Sequence, residues 1–148
     1  MTEVEKIQRY CAFQERCSRD VEMKLREWKI PPGKIKKMLQ QLIAEGFIHD
    51  ERFSRAFARG KFLNNHWGRM KISCELKSRG IPDKLISNAF HDIDEAGYME
   101  SLRNLIIKKR KEIQAGKNLN IREKLINFAL NKGYEFDLIA SILKEMKI

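Results

Sequence analysis

A twelve-residue stretch recurs at a fixed distance along this chain, and the recurrence constrains the fold more than any other feature. Residues 75–86 read Glu-Leu-Lys-Ser-Arg-Gly-Ile-Pro-Asp-Lys-Leu-Ile, and 53 positions later residues 128–139 read Phe-Ala-Leu-Asn-Lys-Gly-Tyr-Glu-Phe-Asp-Leu-Ile. The register sets Gly80 on Gly133, Ile81 on Tyr134 and Leu85-Ile86 on Leu138-Ile139, while upstream Ile72 and Leu76 fall on Leu125 and Ala129. A third copy lies near the N-terminus. Val21 and Leu25 stand 51 positions before Ile72 and Leu76, and Ile30-Pro31 stands before Ile81-Pro82 at the same offset, with Lys29 in place of the glycine. A repeat of about fifty residues implies small units that bury their apolar faces against one another.

The spacing of apolar residues inside each copy identifies the element. Period 3.6 dominates the chain and no segment alternates with period 2, so the elements are helices. Few glycines and prolines (8 and 3 in 148 residues) argue the same way, because a β-sandwich needs many tight turns. Asp50 is expected to cap a helix with Phe53, Ala56, Phe57 and Gly60 on one face, and Pro82 is expected at the first turn of the helix that follows Gly80, the third of the same repeat. Helices are expected at 4–16, 18–29 and 32–46, at 50–63, 68–79 and 82–91, and at 96–114, 119–132 and 135–147. The resulting fold is all-α: three tandem three-helix-bundle repeats, 1–47, 48–95 and 96–148, in an elongated, curved array, with a single helical globule as the alternative.

Several functions are poorly supported by the residues. His49, His66 and His91 fall in no metalloprotease or deaminase pattern and pair with no nucleophile motif, so no catalytic residue is assigned and no enzyme is expected. The glycines are isolated, so no phosphate-cradling loop and no nucleotide cofactor are expected. Asp92, Asp94 and Glu95 read as a helix cap rather than a metal site. Cys11, Cys17 and Cys74 are odd in number and fit no zinc or disulfide pattern, which suits a reduced, cytoplasmic protein. No apolar run approaches a membrane span, the first residues lack an apolar leader core, and no long heptad seam points to a coiled-coil dimer, so a monomer is expected.

Charge is more informative. The chain carries 30 Lys and Arg against 20 Asp and Glu, a net +10. The excess is spread as +3, +2 and +5 over the three repeats, which suits an extended anionic partner better than a small ligand. At 100° per residue Arg52, Arg55 and Arg59 form a row on one helix, and the guanidinium fork suits phosphate or carboxylate. Arg69 and Lys71 follow on the next helix, with Lys77 and Arg79 at its end. Any soluble helix also carries a solvated charged face, so each of these side chains has that second reading. Lys108 to Lys111 form a basic helix end, favourable to the helix dipole.

Phe47-Ile48-His49-Asp50-Glu51-Arg52-Phe53, Trp67-Gly68-Arg69-Met70-Lys71-Ile72 and Glu75 to Ile81 together resemble the central pattern of the bacterial RecX regulatory proteins. The resemblance covers nearly the whole chain through the order and spacing of these short motifs. Departures are His49, Trp28-Lys29 and the loosely matching Asn131-Lys132-Gly133-Tyr134. The resemblance implies a cytoplasmic, non-enzymatic regulator in DNA repair and the SOS response. It would bind RecA recombinase filaments on single-stranded DNA and lower RecA's ATPase, coprotease and strand-exchange activities, with duplex DNA a weaker partner. On that reading Arg52, Arg55, Arg59, Arg69, Lys71, Lys77 and Arg79 form the contact surface, joined by Arg103, Arg110 and Lys111 of the third repeat. The alternative is a sequence-tolerant DNA-binding module acting without RecA.

Overall fold

The computed structural model describes residues 1–114 and 120–148, and among these every regular element is a helix. In chain order they are α1 (Glu3–Phe13), α2 (Ser18–Glu27), α3 (Pro32–Ala44), α4 (Asp50–Asn65), α5 (Arg69–Ser78), α6 (Asp83–Asn88), α7 (Glu95–Gln114), α8 (Ile121–Asn131) and α9 (Phe136–Glu145). The elements match the expected helices to within a few residues, except that residue 119, the expected start of the eighth, lies outside the described residues.

The repeat seen in the sequence is a repeat of one helix ending. Lys29, Gly80 and Gly133 all have positive φ, at 61°, 76° and 98°. In each copy the next residue's N–H reaches back five positions: Ile30 to Leu25, Ile81 to Leu76 and Tyr134 to Ala129, at 3.1–3.2 Å. The left-handed residue's own N–H bonds three back, to Arg26, Lys77 and Leu130. This is the Schellman closure, which satisfies the last helical carbonyls and turns the following apolar residue inward. Ile30, Ile81 and Tyr134 are accordingly buried. Lys29 therefore keeps the conformation of the glycine it replaces.

Helix starts follow local chemistry with one departure from the expected cap. Thr2 and Glu5 form a reciprocal capping box at α1. Asp50 does not cap α4 as expected. His49 holds that position, its Nδ1 accepting the Arg52 N–H at 3.0 Å. The Asp50 carboxylate instead accepts from the Ser18 N–H at 2.9 Å and from its hydroxyl, and so supplies α2 with the cap that Cys17 lacks. The buried stripe of α4 also differs from the expected one. Phe53, Ser54 and Ala58 are buried, whereas Ala56 is exposed. Ser54 can lie inside because its hydroxyl donates to the Asp50 carbonyl at 2.7 Å.

Spatially the chain gathers into two compact units. The first comprises Met1–Phe57 and Leu76–Ala89, with a core that includes Ile7, Val21, Leu25, Ile35, Leu42 and Ile48. The second comprises Ala58–Glu75 and Phe90–Ile148, with Tyr98, Leu102, Ile106, Leu125, Tyr134 and Ile139 at its centre. Residues of the middle repeat thus belong to both. No described helix is long and apolar enough to cross a membrane.

Candidate functional site

In the first unit the basic side chains named from the sequence are largely engaged. Arg52 pairs through Nε with Glu15 at 2.6 Å and donates through Nη2 to the Gly46 carbonyl at 3.0 Å, a tie to the end of α3. Arg55 pairs with Glu51 one turn earlier at 3.5 Å. Arg79 lies over the Phe57 ring at 4.8 Å and near Asp20 at 4.0 Å. Lys77 is exposed at the end of α5. The adjacent Ser78 carbonyl accepts from Arg19, a cation at the negative end of the helix.

The second unit is organised around a backbone crossing. Gly68, just before α5, donates its N–H to the Lys132 carbonyl at 2.7 Å, and the Met70 N–H donates to the Gly133 carbonyl at 2.8 Å. A Cβ at Gly68 would lie 2.4 Å from the Gly133 carbonyl carbon, and one at Gly133 would lie 2.4 Å from Lys71 Cβ. Only two glycines permit this approach. The first amides of α5 are therefore consumed by protein acceptors, since the Arg69 N–H also donates to the Tyr98 hydroxyl at 2.9 Å.

That hydroxyl donates in turn to Glu135 at 2.5 Å. The Arg69 guanidinium stacks on the Tyr98 ring at 3.9 Å, makes a two-pronged pair with Glu95 at 3.1 and 3.2 Å, and lies 2.9 Å from Glu135. Burial works against its charge, but the hydrogen bonds with Glu95 and Tyr98 and the Glu135 charge hold it firmly protonated. Burial, with the hydrogen bond to Glu135, likewise pushes the Tyr98 phenol well above its ordinary range. Arg69 thus ties α5 to α7 and to the α8–α9 turn.

Around this crossing lies an aromatic group that the sequence reading did not single out. Trp67 is half-buried, with Lys71 Nζ 4.4 Å and Lys61 Nζ 4.9 Å from its ring centroid. Of the other basic residues, Arg59 is exposed and has no ion-pair partner among the described residues. Arg103 bridges Glu100 and Glu145, whose hydrogen bonds raise its pKa, Glu145 foremost. Arg110 is half-buried and Lys111 exposed. The structure therefore joins Lys71 to Trp67 and Lys61, and ties Arg52, Arg69 and Arg103 to internal carboxylates. Lys61 stands six residues before Trp67, a spacing that meets only because the chain reverses at His66, where φ is 57°. No three His, Cys, Asp or Glu side chains converge as a metal site among the described residues.

Fold and surface together define a helical-repeat protein that displays basic side chains on helices and their turns. Residues 50–89 match the family model for RecX, second three-helix domain. The chain is 27% identical over 139 residues to "Regulatory protein RecX" of Streptococcus uberis, covering 94% of this chain and 53% of that one. It is 28% identical over 138 residues to the protein of the same name from Bacillus mycoides, covering 93% and 51%. The chain spans about half the length of these curated relatives. The crystal structure of RecX from Lactobacillus salivarius superposes with a TM-score of 0.85 at 24% identity, over 97% of this chain and 94% of that one. A second RecX crystal structure gives 0.86 at 19%, over 95% and 70%. Residues 50–89 thus carry the second three-helix domain of RecX, the chain shares the fold of the RecX crystal structures, and the relatives it resembles carry the name of a regulator rather than of an enzyme.

Proposed function

We propose that this chain regulates a RecA recombinase in the bacterial cytoplasm, binding RecA filaments on single-stranded DNA as a monomer and lowering RecA's ATPase, coprotease and strand-exchange activities. The observation that carries the reading is the RecX domain at 50–89, the stretch that also holds Arg52, Arg55, Arg59, Arg69, Lys71, Lys77 and Arg79. The three repeats, 1–47, 48–95 and 96–148, act as successive contact units, with Arg103, Arg110 and Lys111 contributing from the third. Many weak contacts along an extended partner sum to useful affinity, and their electrostatic share falls as salt rises. Inhibition follows from competition for space or for subunit contacts in the filament.

The test is DNA-dependent RecA ATPase titrated with the wild type, Arg59→Ala and the Arg52/Arg55/Arg59 triple alanine variant. Arg59→Ala breaks no internal ion pair, so it reads the contact surface without the structural cost of losing the Arg52–Glu15 pair. The wild type inhibits, Arg59→Ala inhibits less, and the triple variant needs about tenfold more protein or beyond for the same effect. Equal inhibition by all three would sink the arginine surface. No inhibition by the wild type, with DNA binding in a gel shift, would instead favour a DNA-binding module acting without RecA.

A further inference from the structure

We infer that an open groove between α4 and α7 binds an acidic amphipathic helix of a partner protein, with apolar residues of that helix seated on Phe62, Leu63 and Leu105 and a carboxylate meeting Lys108. The groove has a volume of about 500 Å³ and lies wholly within the second compact unit. Its floor is fixed by the core. Phe62 and Leu105 are half-buried and pack against the cluster around Tyr98, and the Phe62 and Tyr98 rings stack with centroids 5.8 Å apart. Leu63, beside them, is 56% exposed. The apolar surface is therefore held in place before any ligand arrives, and one leucine of it is left in water.

Shape and charge select the occupant. On α7 the wall is Gly97, Ser101, Asn104, Leu105 and Lys108, which recur at helical spacing on one face. From Gly97 to Lys108 that face runs roughly 16 Å, or about three turns, so a helix of similar length can lie along it. Lys108 is exposed and has no ion-pair partner among the described residues, and Lys109, Arg110 and Lys111 follow it. The carboxylate on the wall, Glu100, is already met by Arg103 Nη1 at 2.8 Å. The groove therefore holds no counter-anion for Lys108, and an acidic segment supplies one. Asn104, exposed and without a hydrogen-bond partner among the described residues, offers its amide at the middle of the wall. A nucleic-acid strand fits less well, because the Phe62 ring already stacks on Tyr98. A second copy is opposed by charge, since each chain carries a net +10.

The groove goes beyond the reading given under Proposed function, because it uses neither the arginine row nor RecA, and its test stands apart from RecA inhibition. The probe is a fluorescein-labelled designed helix of about 18 residues, with leucines at every third and fourth position along one face and glutamates beside them. Its anisotropy rises on titration with the full chain, and the methyl resonances of Leu63 and Leu105 shift. A scrambled peptide of the same composition, and a version with lysine in place of glutamate, bind about tenfold more weakly or worse. Leu63→Glu weakens binding by roughly tenfold or more. Lys108→Glu weakens it by roughly 3- to 30-fold and flattens its salt dependence. Both substitutions fall at exposed positions, and far-UV circular dichroism checks that each variant keeps its helices. Absence of binding, equal binding of the scrambled or lysine peptide, or unchanged affinity in Leu63→Glu overturns the groove. Displacement of the peptide by oligo(dT) at lower concentration assigns the groove to nucleic acid, and self-association abolished by Leu63→Glu in sedimentation assigns it to a second copy; either result overturns the acidic helix.

Discussion

The three copies of the left-handed helix ending form a natural mutational series, because one backbone conformation sits in three different surroundings. Lys29 carries a side chain at φ 61°. A non-glycine residue there costs about 1–2 kcal/mol, and glycine returns some of that through the unfolded chain's greater freedom, about 0.4–1 kcal/mol. Lys29→Gly should therefore stabilise by roughly 0.5–1 kcal/mol. Gly80→Ala meets the reverse penalty. Its new Cβ lies 2.9 Å from Arg19 Nη2, the end of a flexible side chain that can move aside, so the loss, net of the same unfolded-state gain, stays at roughly 0.5–1 kcal/mol. Gly133→Ala carries the same backbone term, but its Cβ falls 2.4 Å from Lys71 Cβ and 2.6 Å from the Lys71 backbone nitrogen. Those atoms are pinned by the Gly68 crossing and cannot swing away. Adding an overpacking term of about 1–3 kcal/mol gives a loss of roughly 1.5–4 kcal/mol. Urea unfolding followed by circular dichroism reads the series as midpoints: Lys29→Gly above wild type, Gly80→Ala modestly below and Gly133→Ala lowest. Equal losses at Gly80 and Gly133, or a loss at Lys29→Gly, would refute the reasoning.

Tyr98→Phe removes the acceptor of the Arg69 amide and the donor to Glu135, and leaving those partners unsatisfied should destabilise by about 1–3 kcal/mol in thermal or urea unfolding. Asp50→Ala removes the carboxylate that caps α2 and should lose about 1–2 kcal/mol, with Asp50→Asn retaining much of the stability, by the same measurement. Burial pushes the Cys17 thiol from 9.0 up to about 11. The folded state holds that proton more tightly than the unfolded chain, so its contribution is complete below pH 9 and disappears as pH rises through 11. The loss reaches roughly 2–3 kcal/mol, and stability of Cys17→Ala measured against pH should fall less steeply across this window than that of the wild type.

Local chemistry made much of the fold legible. Apolar spacing, Pro82 and the recurring turn are properties of a few consecutive residues, and they located the helices and the register of the three copies. Ser54 was hidden because a hydroxyl bonded to its own helix, at the Asp50 carbonyl, buries like an apolar group. Asp50 does not cap α4 as expected because its carboxylate serves Ser18, 32 residues away, and His49 caps the helix instead. The arginines were visible as residue types but not as engaged or open groups. Arg69 meets Glu95 and Glu135, and Arg52 meets Glu15, partners whose nearness no helical periodicity encodes.

The sequence by itself determined the helices, the Schellman turns, the distribution of positive charge and the family pattern, since each depends on neighbours within one or two turns of chain. Tertiary structure alone decided that the middle repeat is divided between two compact units, that Gly68 and Gly133 meet backbone to backbone, and that Lys61 and Lys71 converge on Trp67. Those outcomes depend on where distant segments close on one another, and closure is set by packing summed over a whole unit rather than by any local run of residues.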